Sequence, residues 1–131
     1  MNAKRLLLLS TSISASLLTG NVHGQQAQAP YVRVAEIEVD PAQMDSYRAA
    51  AKQVIETSVR TEPGVLALYA VAEKDNPARV IVFEMYADPQ AYEAHLQTEH
   101  FKTYKAATRS MVKSLTLADT IPIALSAKTK P

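Results

Sequence analysis

Residues 65–87, VLALYAVAEKDNPARVIVFEMYA, decide the fold. Two runs rich in β-branched and aromatic residues, 65–75 and 78–87, flank the turn-forming pair Asn76-Pro77, and this pattern predicts a β-hairpin. A strand that is apolar in both alternating phases predicts a sheet with both faces covered. The second run has this property, with Val80 and Val82 in one phase and Ile81 and Phe83 in the other.

The chain before this hairpin predicts a strand and a long helix. Residues 31–39, YVRVAEIEV, are rich in β-formers, and their alternation is typical of a half-buried strand. Asp40 followed by Pro41 predicts a helix start, because aspartate caps the first turn and proline has no N–H to leave unpaired. Apolar residues then recur at helical spacing to about Arg60, and the helix is expected to end at Glu62-Pro63-Gly64.

The chain after the hairpin predicts two short helices and a last strand. Asp88-Pro89 repeats the helix-start pattern and opens a helix over 89–96, and a second helix begins after a turn around Thr98. Residues 114–125 predict a strand interrupted by Pro122, which belongs at an edge or a bulge. The order β, α, β, β, α, β predicts an α+β, ferredoxin-like fold, in which helices cover one face of a four-stranded antiparallel sheet.

The first 24 residues predict a secretory signal peptide. Lys4 and Arg5 precede an apolar run of about 13 residues, which is too short to span a bilayer as a helix. Cleavage is expected after Gly24, with Ala29 as the second choice. The predicted organisation is therefore a signal peptide over 1–24, a flexible lead-in over 25–30, a domain over 31–125 and a tail over 126–131.

The composition of the exported chain excludes several classes of protein and of partner. Because the apolar run is followed by no cysteine, a lipid-anchored lipoprotein is excluded, and we expect a periplasmic or secreted protein with no membrane anchor after cleavage. Removal of 24 residues from the 131 leaves one small domain with 12 basic and 13 acidic residues, so no nucleic acid or anionic membrane is indicated as a partner. The chain has no cysteine for disulfides, and a homodimer would supply additional buried area.

Residues 93–104, EAHLQTEHFKTY, hold two of the three histidines. On one continuous helix His95 and His100 would lie roughly 140° apart, and although a break at Thr98 would bring them together, no third ligand has a recognisable spacing. We therefore predict no metal site. His95 is either a partly exposed helical residue or a proton acceptor near neutral pH. His100 is either structural or part of a site.

The other candidate site residues have equally plain structural alternatives. Arg33 shares its strand phase with the apolar, helix-facing set, so it either binds an anionic oxygen or forms an ion pair, with Glu84 as a possible partner. Lys105 is either solvated or in the site. A tyrosine serves either as core with its hydroxyl at the rim or as a pocket wall, and this applies to Tyr69, Tyr86 and Tyr104. Phe101 lies three residues before Tyr104 on the same helical face.

Three segments carry a resemblance to a known family: Glu62-Pro-Gly-Val65, Phe83-Glu-Met-Tyr86 and the stretch 93–104. With these segments in this order, the chain from about Tyr31 to Leu125 resembles the antibiotic biosynthesis monooxygenases, most closely the small quinol monooxygenases. The resemblance implies a homodimer with packed sheets, a dimeric α/β barrel, and a pocket between sheet and helices. It also implies oxidation of a quinol or related phenol by O2 without metal, flavin or haem.

The resemblance implies that the position of His95 lines the pocket, whereas the other candidates are chosen by residue type and by position on a strand or helix. His95 and Arg33 become the catalytic pair, and the residues expected to contact the substrate are Tyr69, Glu84, Tyr86, His100, Phe101, Tyr104 and Lys105. Haem-degrading relatives place a tryptophan and a histidine where this chain has His95 and Lys105, and the chain contains no tryptophan, so haem degradation is disfavoured. Two alternatives stay open: a non-enzymatic dimer that binds a small aromatic or stress-related ligand, and a proton-transfer isomerase with His95 as base.

Overall fold

The computed structural model describes residues 28–129. The predicted signal peptide over 1–24 and the first part of the lead-in lie outside this range. The elements in chain order are β1 (Tyr31–Val39), a 3-10 turn (Pro41–Gln43), α1 (Met44–Thr61), β2 (Val65–Ala72), β3 (Arg79–Tyr86), α2 (Pro89–Leu96), α3 (Glu99–Thr108) and β4 (Val112–Asp119). The strands form one antiparallel sheet in the order β2-β3-β1-β4. The predicted α+β, ferredoxin-like fold is confirmed.

Side-chain caps fix where the helical segments begin. Asp40 accepts a hydrogen bond from the backbone N–H of Ala42 at 3.0 Å, and Asp88 accepts one from Ala91 at 2.7 Å. Thr98 caps α3 by accepting from the N–H of Phe101 at 3.3 Å. Thr98 therefore ends one helix and begins the next, because a capping residue adopts an extended backbone that interrupts helical geometry.

The three helices lie on the face of the sheet formed by Arg33, Ala35 and Ile37 in β1. Tyr47 of α1 is 1% exposed and packs into a cluster with Ala35, Ile37, Val39 and Val80. A second cluster joins β2 and β3 to α2 and consists of Val65, Leu68 and Tyr86, with Tyr92 packed against it. Between these clusters the sheet and helices leave a cavity, which is described below.

The opposite face of the sheet carries no helix within residues 28–129, and it is apolar except at one end, where Arg79 and Glu36 form an ion pair. Tyr69 in β2 is in register with Phe83, and Phe83 is in register with Val34 of β1. Tyr69 is 64% exposed and Val71, beside it on the same face, is 61% exposed. β3 is thus apolar on both faces over residues 80–83, as predicted, whereas the homodimer inferred from this property stays a prediction.

The last strand differs from its prediction. β4 begins two residues earlier than expected and ends at Asp119, so the strand predicted over 114–125 was too long. Thr120 donates to the carbonyl of Val32 at 2.7 Å, and Pro122, which has no N–H for a ladder, lies beyond the strand. Ile121 and Ile123 are consequently almost fully exposed. None of the helices in residues 28–129 is long and apolar enough to cross a membrane.

Candidate functional site

A cavity of about 120 Å³ lies between the helix-facing side of the sheet and the three helices. Its walls are mostly aliphatic and aromatic, with Ile37, Val54, Ile55, Leu68, Val82, Tyr92, Leu96, Phe101, Leu115 and Leu117 among them. The polar groups that reach it come from Tyr47, Glu84, Tyr86, His95, Tyr104 and Lys105. An apolar chamber with a few polar groups is the usual form of a small-molecule site.

His95 of α2 is the buried histidine in this cavity wall. It is 5% exposed, and its Nδ1 atom lies 2.9 Å from Oε2 of Glu62, the residue that follows α1. The Phe101 ring centre is 4.8 Å from the imidazole centre, and the Tyr86 ring centre is 5.6 Å from it. Its Nε2 atom has no hydrogen-bond partner in the described part of the protein. The ring is therefore fixed on one side by a carboxylate and packed between aromatic side chains.

His100 approaches the same carboxylate oxygen from α3. Its Nε2 atom lies 2.7 Å from Glu62 Oε2, and the two imidazole centres are 6.3 Å apart. The expectation for a continuous helix, with the two histidines on different faces, does not apply. The break at Thr98 turns α3 so that both rings face Glu62.

Glu62, His95 and His100 form a trio that sequence spacing did not predict. Their ligand atoms all lie within 4.8 Å of one another, and two imidazoles with one carboxylate are a donor set suited to a divalent transition metal. The third residue has no recognisable spacing in the sequence, because the turn after α1 brings it from 33 residues upstream of His95.

The ionisation of Glu62 determines the histidine tautomers. Burial alone would raise the pKa of Glu62, but hydrogen bonds from His100 and His95 outweigh it and lower the pKa below its ordinary value. An ionised carboxylate only accepts hydrogen bonds, so both nitrogens that face it carry hydrogen. In the neutral form of His95 the proton is on Nδ1, and the lone pair is on Nε2.

Glu84 is the second ionisable group that lines the cavity. Tyr86, which is 1% exposed, donates to Glu84 Oε2 at 3.0 Å. Burial raises the pKa of Glu84, although the Tyr86 hydrogen bond and the charges of His95 and Arg33 oppose the rise. Glu84 forms no ion pair with any residue in the range 28–129. The cavity thus holds a carboxyl group that accepts a hydrogen bond from Tyr86 but has no ion-pair partner among residues 28–129.

The far end of the cavity is closed by two tyrosines. The hydroxyl oxygens of Tyr47 and Tyr104 are 2.9 Å apart, and Tyr104 packs against Phe101 with ring centres 6.3 Å apart. Lys105, the next residue of α3, also lines the cavity. Of the residues predicted for the site, the structure brings six to the cavity wall: Glu84, Tyr86, His95, Phe101, Tyr104 and Lys105.

Three predicted residues lie elsewhere. His100 reaches the site only through Glu62, and Tyr69 is on the opposite face of the sheet. The guanidinium of Arg33 stacks 4.5 Å above the Tyr92 ring, and its Nε atom is 2.9 Å from Asp119 Oδ1, in an ion pair whose angle does not make a hydrogen bond. Arg33 is beside Glu84 in the sheet register but bridges to Asp119, so the partner suggested for it was wrong.

The structure adds residues that sequence reasoning missed. Glu62 was noted as the end of a helix and as part of a family segment, but not as a site residue. Tyr47 was noted only as a member of an apolar stripe, and Tyr92 was not noted. Helical periodicity marks Tyr47 as inward-facing but does not distinguish a cavity wall from packed core. For Glu62, the turn between α1 and β2 gives no signal of which way the side chain points.

Known proteins resemble this chain in sequence and in fold. Residues 30–107 match the family model described as antibiotic biosynthesis monooxygenase. The chain belongs to that family. A comparison with curated proteins found no match.

Solved structures extend the family assignment. A provisionally named antibiotic biosynthesis monooxygenase from Bacteroides thetaiotaomicron is 47% identical over 79% of this chain and 99% of its own, with a TM-score of 0.75. A provisionally named monooxygenase from Lactobacillus acidophilus is 33% identical over 67% of this chain and 42% of its own, with a TM-score of 0.66. A Mycobacterium tuberculosis protein, 20% identical over 76% of this chain and 100% of its own, shares the fold with a TM-score of 0.67. Family and neighbours support a monooxygenase type of activity.

Proposed function

We propose that this protein is a cofactor-independent monooxygenase that oxidises a quinol or a related phenol with O2. The observation that carries the proposal is the placement of His95, whose Nδ1 is held by Glu62 while the ring lines an apolar cavity. A carboxylate that fixes the proton on one imidazole nitrogen leaves the other nitrogen as a base. Removal of a proton is the step that such a substrate needs before it can react with oxygen.

The proposed reaction begins with transfer of a substrate hydroxyl proton to Nε2 of His95. The phenolate formed passes one electron to O2, and the superoxide and substrate radical combine through a new C–O bond. His95 returns its proton to the peroxide, and loss of water leaves a carbonyl at the oxidised carbon. For a quinol the balance is one quinol and one O2 giving one hydroxyquinone and one water. The substrate supplies all the electrons.

The cavity supports this chemistry by its composition. Aromatic and aliphatic walls exclude water, which strengthens the electrostatic interactions within and protects reactive intermediates. The hydroxyls of Tyr47 and Tyr104 and the ammonium of Lys105 are groups able to donate to the phenolate oxygen. A volume of about 120 Å³ is on the scale of a small aromatic molecule.

Oxygen uptake by the purified protein with a reduced menadiol-type substrate tests the proposal. Autoxidation must be subtracted, because quinols react with oxygen unaided. We expect the wild type to exceed the background clearly and His95→Ala to lose about 10²-fold or more in kcat/KM. Lys102→Ala, an exposed substitution on α3, is the matched control and should retain the wild-type rate.

Two outcomes of this experiment favour the alternatives. If oxygen uptake by the wild type is no faster than by His95→Ala while aromatic ligands still bind, the protein is a binding module built on the family fold. If uptake stays at background while His95 accelerates proton exchange at a carbon next to a carbonyl, the protein is a proton-transfer isomerase. Retention of full activity by His95→Ala would show that another group accepts the proton.

We also propose export and self-association. The amino-terminal pattern of Lys4, Arg5 and the following apolar run supports cleavage near Gly24 and a periplasmic or secreted location. Amino-terminal sequencing of the protein from the periplasm should begin near Gln25, and full-length protein held in the membrane fraction would contradict cleavage. The exposed apolar face that includes Tyr69 and Val71 supports a homodimer.

A further inference from the structure

We propose that Glu62, His95 and His100 form a binding site for a divalent transition metal ion, with Zn²⁺ as the chemical type, and that the bound ion switches off His95 as a base. The inhibitory part of this inference rests on the proposed function, whereas the binding part does not. The inference arises from Glu62, whose carboxylate connects the end of α1 to His95 in α2 and His100 in α3.

The three donor atoms lie close enough together for a rearrangement of the side chains to bring them around one ion. His95 Nδ1 and His100 Nε2 are 2.9 and 2.7 Å from the same oxygen of Glu62, and all three ligand atoms lie within 4.8 Å. Zn²⁺ with bonds of about 2.0–2.2 Å to nitrogen and oxygen places neighbouring ligand atoms roughly 3.3 Å apart in a tetrahedron. The histidine–carboxylate contacts would lengthen by about half an ångström to reach this spacing.

Access to the trio is from the His100 side. The side chain of His100 is 23% exposed, whereas those of Glu62 and His95 are 13% and 6% exposed. An ion therefore meets a partly exposed imidazole first and then a nearly buried carboxylate. The fourth coordination position of a three-ligand zinc site is taken by water.

Metal binding at Nδ1 changes the tautomer of His95. A neutral imidazole has one lone pair and one N–H, and a metal takes the lone pair. With no ion, Glu62 keeps the hydrogen on Nδ1 and the lone pair on Nε2. With an ion on Nδ1, the hydrogen moves to Nε2, and the nitrogen proposed to take the substrate proton becomes a donor.

The location of the trio makes the ion inhibitory rather than catalytic. His95 lines the cavity, but Glu62 and His100 are not among the lining residues, and the ion would bind on the Nδ1 edge of the ring. A metal that activates O2 or substrate must touch one of them. An ion behind His95 has no direct path to a ligand in the cavity, so it acts through the imidazole.

Isothermal titration of the tag-free, chelator-treated chain with ZnCl₂ in the absence of substrate tests the binding. We expect one ion per chain. MgCl₂ is the control ion, because Mg²⁺ prefers oxygen ligands and should not bind to the trio. His100→Gln keeps a hydrogen-bond donor for Glu62 but removes the imidazole, and it should weaken Zn²⁺ binding by about 10²-fold or more. Equal binding of Zn²⁺ by this variant and the wild type would overturn the site.

Two further readouts separate this inference from the proposed function. In ¹⁵N NMR spectra, saturating Zn²⁺ should move the ring proton of His95 from Nδ1 to Nε2, and an unchanged tautomer would overturn the switch. Oxygen uptake should fall with the same half-saturation as binding and return when the ion is chelated.

If Zn²⁺ does not bind while oxygen uptake depends on His95, the metal site is wrong and the monooxygenase stands. If Zn²⁺ binds and shifts the tautomer in a protein without oxygen uptake, the site stands and the proposed function fails. An increase in rate with Zn²⁺ or Fe²⁺ would overturn the inhibitory role.

Discussion

Gly64 and Ala91 lie so close together that no side chain larger than hydrogen fits at position 64. A Cβ atom added to Gly64 would lie 2.5 Å from the Cβ of Ala91, a separation that real Cβ atoms essentially never show. Gly64 does not have a positive φ, so space and not backbone conformation requires the glycine. This contact sets α2 against the turn after α1, and it thereby holds His95 near Glu62.

Gly64→Ala should push α2 away from that turn. We expect the free energy of unfolding to fall by about 1–3 kcal/mol, as for other overpacked sites, and kcat/KM to fall because the bond from Glu62 to His95 lengthens. Urea denaturation and oxygen uptake measure the two effects. The double variant Gly64→Ala/Ala91→Gly removes the clash and should recover most of both losses, which makes the pair a double-mutant cycle. A single variant as stable and active as the wild type would contradict the contact.

Glu62→Gln tests the carboxylate that selects the tautomer of His95. An amide is neutral and offers donors as well as an acceptor, so the hydrogen of His95 is no longer held on Nδ1. We expect kcat to fall by about 10²-fold with little change in the affinity for a non-reacting aromatic ligand. Glu99→Gln, an exposed substitution on α3, is the matched control and should leave kcat unchanged. Equal losses in ligand affinity and kcat would instead indicate that Glu62 only maintains the shape of the cavity.

The elements that the sequence predicted well are those whose signals are local. Asp40, Asp88 and Thr98 each cap the turn that follows them, because a cap depends on residues three positions away at most. β4 was predicted less well, since the apolar residues after Asp119 suggested a longer strand. Whether Ile121 and Ile123 join a ladder depends on where the neighbouring strand begins, and β1 begins at Tyr31, which is close to the level of Asp119.

The sequence predicted His95 as a site residue but did not predict the glutamate that it contacts. His95 stood out by residue type and by the family resemblance, but its partner Glu62 is 33 residues away, and the packing of α2 against the turn after α1 brings them together. Arg33 was placed on the correct face by strand alternation. Its partner depended on sheet order, because β1 lies between β3 and β4 and Asp119 of β4 forms the ion pair.

Glu84→Gln should stabilise the protein at neutral pH. The folded-state pKa of Glu84 is raised above its ordinary value of 4.5, so the folded protein holds this proton more tightly than the unfolded chain does. The stability that Glu84 contributes is therefore fully present below pH 4.5 and is lost as the pH rises through the folded-state pKa. Urea denaturation between pH 4 and 8 should show a gap between Glu84→Gln and the wild type that widens with pH. Glu93→Gln, at an exposed position, should show no such gap, and a gap that narrows with rising pH would contradict the raised pKa.

The open face of the sheet gives the last prediction, which concerns self-association. Tyr69 and Val71 are more than 60% exposed in the apolar part of this face, a chain of this size buries limited area alone, and a second copy would cover these side chains. Sedimentation at micromolar concentration should therefore give about twice the monomer mass. Val71→Asp places one charge from each copy in the same interface, so we expect the dimer to dissociate at concentrations about 10²-fold higher or more.

The matched control for this substitution is Val59→Asp. Val59 is 47% exposed on α1, a helix on the other side of the sheet, so it adds the same charge at a comparable exposed valine without touching the open face. Both variants should unfold as monomers with similar free energies, because neither side chain is buried within a single chain. If Val59→Asp dissociates the dimer and Val71→Asp does not, the copies associate through the helices. If the wild type is a monomer at micromolar concentration, the open face faces solvent and the homodimer is wrong.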